Sequence, residues 1–383
     1  MKVAMQIKLE PTPEEAAALV ATLRATNQAA NWVSEVVFTT GAKREYALRK
    51  LTYAALKQRG LGAQAAQHVI KKVCDAYAAL AAHARTGRLR GRRRRNAQAK
   101  PIVFAPTGAH PFDDRCLSWQ LHARTVSIWT TSGRMKGVRF SCTPEALNTL
   151  ALYRRGESDL VHRDGMWFLH ATCEIPEPEI VEPGGFLGVD LGIVSIATTS
   201  TGQRYAGRGL NRHRRRQAEL RAKLQAKGTK SARRRLKARR RKEARFARDV
   251  NHCISKQIVA EAERTGQGIA LEDLKGIRDR VRLSKPRRAA INTWGFHQLG
   301  EFLSYKARRA GVALVKVDPA YTSQTCAACG HQDRRNRVSQ ARFVCRGCGL
   351  ACHADLNASR NIAALGETAW NAGRPSNVPT IPP

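Results

Sequence analysis

The stretch from Phe186 to Ser200, FLGVDLGIVSIATTS, constrains the fold more than any other part of the sequence. An apolar run from Phe186 to Val189 ends on a carboxylate, Asp190. After a Leu-Gly pair, a second β-rich run extends from Ile193 to Thr199. This pattern predicts a buried strand, a glycine that lets the backbone or a ligand come close, and a hairpin partner strand.

A carboxylate at the exposed end of a buried strand is costly unless a cation meets it. One possibility for Asp190 is catalytic magnesium, as in RNase H-like nucleases. A second is a nucleotide phosphate with magnesium, as in actin-like ATPases. The third is a strand-end aspartate in an ordinary turn, and this stretch alone leaves all three open.

The composition indicates a folded protein with a polyanionic partner. The chain has 383 residues, enough for two or three domains, and is 43% hydrophobic, which excludes a disordered protein. Its 67 Lys and Arg exceed its 30 Asp and Glu by 37 charges, so nucleic acid is the expected partner. No apolar run approaches the ~18 residues that span a membrane. The N-terminus lacks the long apolar segment of a signal peptide. We therefore expect no membrane partner and a cytoplasmic, nucleoid-associated protein.

The first half of the chain predicts a helical unit inserted into a β-rich unit. Residues 2–9 alternate as a short strand, and helical spacing follows to about residue 38, then over roughly 43–59 and 63–83. From 101 to about 180, segments such as IVFAP and GMWFLHATCEI predict a barrel or sandwich of five or six strands, which strand 2–9 completes. The expected domains are therefore a β-barrel, 1–10 and 101–182, and a helical unit, 11–100.

Two segments are basic enough to predict contact with phosphate backbones. Residues 83–100 contain eight Lys or Arg and no acid, and Gly87 and Gly91 should break any helix there. Residues 212–248 contain eighteen Lys or Arg and two Glu, on two helices separated by Gly228-Thr229. A solvated helix normally pairs opposite charges four residues apart, and these helices do not. The expected nucleic-acid-binding residues are Arg92, Arg93, Arg94, Arg95, Arg214, Arg215, Arg216, Arg233, Arg234, Arg235, Arg239, Arg240 and Arg241.

A second buried strand, GIALEDL at 268–274, also ends on acids, Glu272 and Asp273. A helix at about 293–310 and a strand at 313–319 follow. The resulting order, β-β-β-α-β-α-β-α with acids at strand ends, is that of an RNase H-like domain.

Four cysteines predict a zinc site. Two Cys-x-x-Cys pairs, Cys326 with Cys329 and Cys345 with Cys348, stand fifteen residues apart, the spacing of a zinc ribbon. A glycine follows each pair, as a tight knuckle turn requires. Four sulfur ligands leave no open position, so we expect one structural zinc ion and leave the neighbouring Cys352 and His353 out of it.

Three carboxylates, Asp190, Glu272 and Asp355, predict a magnesium centre. Asp355 lies in the first turn of a predicted helix, where alone it would be only a cap or dipole partner. Brought together, the three would repel one another unless magnesium neutralised them. Two magnesium ions ~3.5–4 Å apart would activate a water and stabilise the leaving oxygen of a phosphodiester. The nearest rivals, Asp249 and Asp273, are expected at the surface. The ATPase interpretation lacks Gly-rich phosphate loops at the later strands.

With these motifs in hand, the sequence resembles the TnpB family of transposon-encoded, RNA-guided nucleases related to type V CRISPR effectors. The most specific part is YKARRAG, VDPAYTSQTCAACG, FVCRGCG and HADLNASRNI within residues 305–362, together with GVDLG at 188–192 and LEDL at 271–274. The resemblance implies a RuvC nuclease domain at 183–320 and 350–366, a zinc ribbon at 321–349 and a disordered tail at 367–383. The barrel and helical unit would be the wedge and recognition domains. Asp190, Glu272 and Asp355 would be the catalytic RuvC carboxylates and magnesium ligands.

The resemblance further implies a magnesium-dependent DNA endonuclease that cuts beside a short flanking motif with a single RuvC site. Its partners would be a guide RNA and target double-stranded DNA, with sequence read by base pairing. Two alternatives stay open: a nuclease-dead, RNA-guided DNA-binding repressor, and a DNA transposase with an RNase H-like fold.

Overall fold

The computed structural model describes residues 1–274 and 296–373 and divides the chain into two compact units, Met1–Pro176 and Glu177–Pro383. The sequence predicted a domain boundary after residue 182, and the division into compact units falls after residue 176. Residues between these two positions pair within the second unit. Glu177 accepts hydrogen bonds of 2.6 and 2.7 Å from the Arg308 guanidinium, and the Val181 N–H donates to the Gly311 carbonyl at 2.9 Å.

A seven-stranded antiparallel sheet forms the frame of the first unit. Its strands are β1 Lys2–Leu9, β2 His110–Phe112, β3 Leu117–Gln120, β4 Thr125–Thr130, β5 Gly133–Ser141, β6 Arg154–Arg163 and β7 Met166–Glu174. Their spatial order is β2-β6-β7-β1-β5-β4-β3. The first strand thus joins the sheet as predicted, paired with β7 and β5. The end strands β2 and β3 are separated by only four residues, 113–116, so the sheet is nearly closed.

Four helices separate β1 from β2, and a fifth separates β5 from β6. They are α1 Pro13–Thr40, α2 Glu45–Gln58, α3 Ala63–Arg85, α4 Gly91–Gln98 and α5 Pro144–Tyr153. Gly87, with φ of 72°, does interrupt the basic segment, but Gly91 begins α4 instead of breaking it. The sequence patterns did not predict α5, which begins where the Thr143 hydroxyl accepts a hydrogen bond from the Ala146 N–H.

The segment IVFAP was wrongly predicted as a strand. An asparagine of α1 takes the place of a neighbouring strand there. The Asn31 amide accepts from the Phe104 N–H at 2.7 Å and donates to the Phe104 carbonyl at 3.2 Å. Asn27, one turn earlier, donates to the Gly108 carbonyl at 2.9 Å. The backbone groups of Phe104 and the Gly108 carbonyl are therefore satisfied by side chains of α1, without a neighbouring strand.

The second unit contains a five-stranded sheet covered by helices on both faces. Its strands are β8 Phe186–Asp190, β9 Ser195–Thr199, β10 Arg204–Ala206, β11 Gly268–Glu272 and β12 Leu314–Val317, in the order β10-β9-β8-β11-β12. Strands β8, β11 and β12 are parallel, and β9 and β10 are antiparallel additions. The helices are α6 Arg208–Lys227, α7 Lys230–Thr265, α8 Phe296–Ala310 and α9 Ala354–Ala372.

Alternate residues of the parallel strands face different helices. Leu187, Val189, Ile269 and Leu271 pack with apolar residues of α7 and α8. Phe186 and Ala270 pack with Ile362 of α9 on the other face. The period of two along a strand therefore assigns each residue of β8 and β11 to a side of the sheet.

The C-terminal part of the second unit differs from the expectation in one respect. Helix α9 continues to Ala372, so residues 367–372 of the predicted tail are helical, and residues 374–383 lie outside the described part of the chain. A small two-stranded sheet, β13 Arg342–Val344 with β14 Ala351–His353, precedes α9. No helix of the described ranges combines the length and apolarity needed to cross a bilayer.

Candidate functional site

Asp190 and Glu272 end neighbouring parallel strands in matching positions. Val189 of β8 pairs with Leu271 of β11, so the next residues, Asp190 and Glu272, stand side by side at the same edge of the sheet. Counting by twos from Phe186 and Ala270, both carboxylates belong to the face that α9 covers. The carboxyl ends of parallel strands are a common location for ligand and catalytic groups in α/β sheets.

Helix α9 brings the third carboxylate to this edge. Asp355 lies in its first turn and is 7% exposed, and the His353 ring caps the helix by accepting from the Asp355 N–H at 3.2 Å. The helix crosses β8 closely because Gly188 has no side chain. A Cβ there would overlap the Ser359 carbonyl oxygen and lie 2.5 Å from the Ala363 nitrogen. The absence of a side chain at Gly188, the first residue of GVDLG, thus allows the close packing of α9 that places Asp355.

The packed face of α9 is formed mainly by small and polar residues. Ile362 is buried, but Leu365 is 40% exposed. Gly366 faces the sheet instead, where a Cβ would overlap that of Ala270. Along this interface the backbone of α9 lies close to the sheet, in place of a layer of interdigitated apolar side chains.

The three carboxylates interact electrostatically. Burial raises the pKa of Asp190 well above its ordinary value, and the nearby Glu272 and Asp355 raise it further. Burial also raises the pKa of Glu272 to about 7, against the hydrogen bond that its Oε1 accepts from the Thr322 hydroxyl at 3.0 Å. Acids that resist ionisation in this way are a feature of functional sites and favour a bound cation.

Sequence reasoning missed the cation that the chain itself supplies. The Arg337 guanidinium lies 3.8 Å from the Asp355 carboxylate and lowers the pKa of both Asp190 and Glu272. Among 67 Lys and Arg, no local pattern distinguishes Arg337. Thr322 was missed for the same reason, because its role depends on a contact with a residue fifty positions away.

The four predicted cysteines converge, and the carboxylates do so less tightly. The sulfur atoms of Cys326, Cys329, Cys345 and Cys348 all lie within 4.8 Å of one another, with the Cys326–Cys348 pair at 3.7 Å and the Cys329–Cys345 pair at 3.6 Å. About 3.8 Å is the separation expected between thiolates tetrahedrally bound at ~2.3 Å to zinc. Among the described residues, the oxygens of Asp190, Glu272 and Asp355 do not form a set this compact.

Each cysteine pair forms a knuckle. The Gly330 N–H donates to the Cys326 carbonyl at 2.9 Å and the Gly349 N–H to the Cys345 carbonyl at 3.1 Å. Both glycines have positive φ, 73° and 77°, as the sequence predicted. The N–H groups of Gly347 and Cys348 also approach the Cys345 sulfur, at 3.3 and 3.4 Å, which favours its thiolate form.

Two asparagines attach the cysteine region to the helix that carries Asp355. The buried Asn357 accepts from the Ala327 N–H at 3.0 Å and donates to the Thr325 carbonyl at 2.7 Å. Asn361, one turn later, donates to the carbonyls of Thr322 and Thr325 at 2.8 and 2.7 Å. The cysteine cluster and the third carboxylate are thus held on one framework.

The remaining residues near these clusters lie where a secondary role was expected. Asp249 and Asp273 are exposed. Cys352 is half-buried and outside the set of converging sulfurs, while His353 serves as the helix cap.

Most of the predicted basic residues face solvent. Arg92, Arg93, Arg94 and Arg95 are exposed on α4, as are Arg215, Arg216, Arg233, Arg234 and Arg235 on α6 and α7. The side chains of Arg240 and Arg241 lie outside the described part of the structure. Gly228 ends α6 with φ of 61° and the Thr229 hydroxyl caps α7, as predicted.

The two basic helices also pack on each other, which the sequence did not predict. Arg239 donates from Nε to Gln217 at 3.1 Å, and Arg221 pairs with Glu243 at 2.7 Å. Arg214 is half-buried, and burial lowers its pKa. Arg214 and Arg239 are thus partly occupied within the hairpin, so they are poorer phosphate contacts than their exposed neighbours.

Comparison with known proteins agrees with these features. A family described as probable transposase matches residues 170–276, and a Cas12f1-like TNB domain matches residues 296–362. The CRISPR-associated endodeoxyribonuclease Cas12f1 of Sulfoacidibacillus thermotolerans is 35% identical over 231 residues, 55% of this chain and 53% of that protein. A TnpB-like protein of Methanocaldococcus jannaschii is 35% identical over 122 residues, 32% of this chain and 43% of that protein. The chain is thus similar in sequence to Cas12f and TnpB-like proteins.

The chain spans about half the length of the first curated relatives it matches. Its fold is similar to that of the protein in the cryo-EM structure of a Cas12f1–sgRNA–target DNA complex. The TM-score is 0.57 at 15% identity, over 91% of this chain and 83% of the other. The two matched segments contain the clusters described above. Asp190 and Glu272 lie in the first, and the four cysteines and Asp355 in the second.

Proposed function

We propose that this protein is a transposon-encoded, RNA-guided and magnesium-dependent DNA endonuclease, which cuts target DNA beside a short flanking motif with a single RuvC site. The observation that carries the proposal is the placement of Asp190 and Glu272 in register at the carboxyl edge of two parallel strands, with Asp355 at the start of the helix packed over them. The strand order, with β8 central and β9 and β10 antiparallel beyond it, supports an RNase H-like domain.

The donor set fits magnesium. All three groups are carboxylates, which magnesium prefers, and the pKa values of Asp190 and Glu272 are raised chiefly by burial, which a bound cation would offset. Sites of this kind hold two ions ~3.5–4 Å apart, and we propose the same number here. Magnesium, when bound, supplies an activated water and stabilises the oxygen that leaves the cut phosphodiester.

The protein's own residues hold this arrangement. Asp190 and Glu272 are fixed by strand register, and the Thr322 hydroxyl orients the Glu272 carboxylate. The first turn of α9 holds Asp355, so the positive end of the helix dipole lies beside its carboxylate. Arg337 contributes positive charge beside the phosphate that these carboxylates would face.

The four cysteines would hold one structural zinc ion in a ribbon. Their sulfur separations of 3.6 and 3.7 Å and the two glycine knuckles support a closed tetrahedral site. Because Asn357 and Asn361 join this ribbon to α9, zinc binding would stabilise the position of Asp355.

The guide RNA is proposed from the exposed charge. Nine of the thirteen predicted arginines face solvent on α4, α6 and α7, far more than one cleavage site needs for its own substrate. Phosphate contacts carry no sequence information, so specificity would come from base pairing with a guide. The related Cas12f1 was solved with an sgRNA and target DNA, which supports the same partners here.

A DNA transposase is the second candidate, because the family matching residues 170–276 is described as probable transposase. The nuclease-dead repressor is less favoured, since the three carboxylates are all present and adjacent in the fold.

The experiment that separates these functions is reprogramming of the purified complex. The protein is isolated with its bound RNA, treated with RNase, and supplied with a guide whose targeting segment has been changed. We expect magnesium-dependent cleavage to move to the new matching sequence. If RNA-free protein cuts the original sites as before, the guided mechanism is wrong and the transposase replaces it.

The repressor is tested in the same assay. Binding that follows the new guide without any cut, in wild-type protein with magnesium present, would assign the nuclease-dead function. Binding should also weaken steeply with salt, with a log–log slope of magnitude roughly 0.9 per duplex phosphate contacted.

A further inference from the structure

A second cluster of metal-ligating side chains lies in the first unit, away from the motifs that the sequence singled out. His68 is on α3, while Asp113 and Cys116 lie in the four-residue segment between β2 and β3. One ring nitrogen, one carboxylate oxygen and one sulfur from these residues all lie within 4.8 Å of one another. Nitrogen, oxygen and sulfur in one small set are the donors that zinc accepts together.

The carboxylate of this cluster is already oriented toward the helix. Its Oδ1 accepts from the N–H groups of Arg115 and Cys116, both at 3.2 Å, which fixes the turn. Its Oδ2 lies 3.7 Å from Nε2 of His68. Ligand atoms at ~2.0–2.3 Å around a tetrahedral ion are separated by about 3.3–3.8 Å, so these two atoms already have a suitable spacing.

The amide of Gln64, one turn before His68, occupies the space between these ligands. Its Nε2 lies 2.6 Å from Asp113 Oδ2 and 3.3 Å from His68 Nε2. A hydrogen-bond donor that faces both a carboxylate and a ring nitrogen takes the place that a cation would take. The position of the Gln64 amide thus indicates where positive charge is favoured.

Three ring nitrogens of two buried histidines at the cluster lack partners among the described residues, which a simple hydrogen-bonded cluster does not explain. His68 is 3% exposed and His110 is fully buried. Neither ring nitrogen of His110, nor Nδ1 of His68, has a hydrogen-bond partner among the described residues. The His110 ring stands edge-on to His68, with centroids 6.2 Å apart. Unpaired buried polar atoms are costly, so fold stability alone does not account for two histidines here.

We infer that His68, Asp113 and Cys116 bind a second zinc ion, independent of the ribbon and of the nuclease site. His68 Nε2, Asp113 Oδ2 and the Cys116 sulfur are the ligands, and the Gln64 amide moves aside when the ion enters. The ion connects α3 to the sheet across 45 residues of chain between His68 and Asp113 (113 − 68), a long loop whose closure stabilises the fold. Its role is therefore to hold the helical and β parts of the first unit together.

The test is the zinc content of the full-length protein, prepared without chelators and measured by mass spectrometry. We expect two zinc ions per chain in the wild type, one in Cys116→Ser and one in Cys345→Ser, which disrupts the ribbon. The double variant should hold none. Cys173→Ser is the matched control, because Cys173 is buried in β7 of the same sheet but outside the cluster, and it should retain two.

If the wild type holds one zinc ion per chain and Cys345→Ser holds none, the inference is wrong. The three side chains then form a metal-free cluster in which the Gln64 amide fills the space between them. This comparison does not need Cys116→Ser to fold. His68→Ala provides the second variant, with one zinc expected. Retention of two zinc ions by both folded variants would also exclude these ligands.

Discussion

The two clusters of the second unit, one of carboxylates and one of cysteines, are built in opposite ways. The carboxylates come from two strand ends and a helix start, more than eighty residues apart in each case, and lie beneath a packed helix. The cysteines come from one segment of 23 residues, 326–348, folded by its own knuckle turns. The oxygen cluster is looser than the sulfur cluster, whose atoms are all within 4.8 Å.

On the proposed function, this difference separates a site that would do chemistry from one that would support it. Four thiolates leave a zinc ion no free position, so the ion can only stabilise structure. Carboxylates that remain partly unsatisfied, with raised pKa values, retain the capacity to bind ions and water. The two clusters meet through Asn357 and Asn361, so the closed site positions the open one. Substitutions in each cluster should therefore fail in different ways.

The largest effect is expected from Asp190→Ala. Loss of this carboxylate should abolish magnesium-dependent DNA cleavage and leave nucleic-acid binding nearly intact, because we expect binding to depend on the exposed arginines. A cleavage assay with and without magnesium, beside a gel shift, measures both. Asp249→Ala is the control. Asp249 is exposed on α7, so this variant should cleave DNA at the wild-type rate. Wild-type cleavage by Asp190→Ala would remove Asp190 from the site.

Cys345→Ser should act by unfolding the region around the cysteine cluster. We expect the loss of one zinc ion per chain together with local unfolding of residues 326–353, because metal binding by thiolates contributes folding free energy directly. Metal analysis and limited proteolysis measure the two consequences. Cys352→Ser is the matched control, as Cys352 adjoins the cluster without belonging to it. An unchanged zinc content in Cys345→Ser would contradict the ribbon.

The effect of Arg337→Ala should be intermediate between the effects of Asp190→Ala and Cys345→Ser. It removes the cation 3.8 Å from Asp355 but no proposed metal ligand, and we expect cleavage to fall by about tenfold to a hundredfold at unchanged zinc content. Arg337→Lys keeps the charge and should recover part of the rate, which a purely structural role would not predict. Arg335→Ala is the control, because Arg335 is exposed and paired with Asp333 at 2.7 Å. Equal rates for Arg337→Ala and Arg335→Ala would show that Arg337 does not contribute to cleavage.

The smallest effect concerns the packing that joins β8 to α9. Gly188→Ala places a methyl group against the backbone of Ser359 and Ala363, and overpacking of this kind costs about 1–3 kcal/mol. Denaturant unfolding measures the loss. Gly184→Ala should be nearly neutral, because its Cβ would have only an ordinary contact at 3.8 Å with Gly266. Equal stability of the two variants would show that α9 is free to shift.

Local patterns were sufficient to predict some parts of this structure. The strand ending at Asp190, the helix break at Gly228 and the two glycine knuckles each depend on residues close in sequence. The cysteine spacing likewise predicted which four sulfurs converge. The magnesium and catalytic roles of Asp190, Glu272 and Asp355 stay predictions, although the fold places Asp190 beside Glu272.

Features that depend on tertiary contacts were missed or wrong. The segment IVFAP has strand-forming residues, yet Asn31 satisfies the backbone that a neighbouring strand would have paired. Arg337 and Thr322 gain their roles from distant carboxylates, which no periodicity reveals. The first unit's His68 and Cys116 come together only because α3 packs beside the end of β2.

The helical hairpin of α6 and α7 has a consequence for how such chains can change in length. Helix α6 begins directly after β10 and α7 ends two residues before β11, so both arms start at the sheet and the turn at Gly228 is their far end. Insertions or deletions at that turn change the reach of the basic arms by about 1.5 Å per residue in each helix. The register that sets Asp190 beside Glu272 is unaffected by them, whereas a single residue inserted within β8 would turn Asp190 to the opposite face.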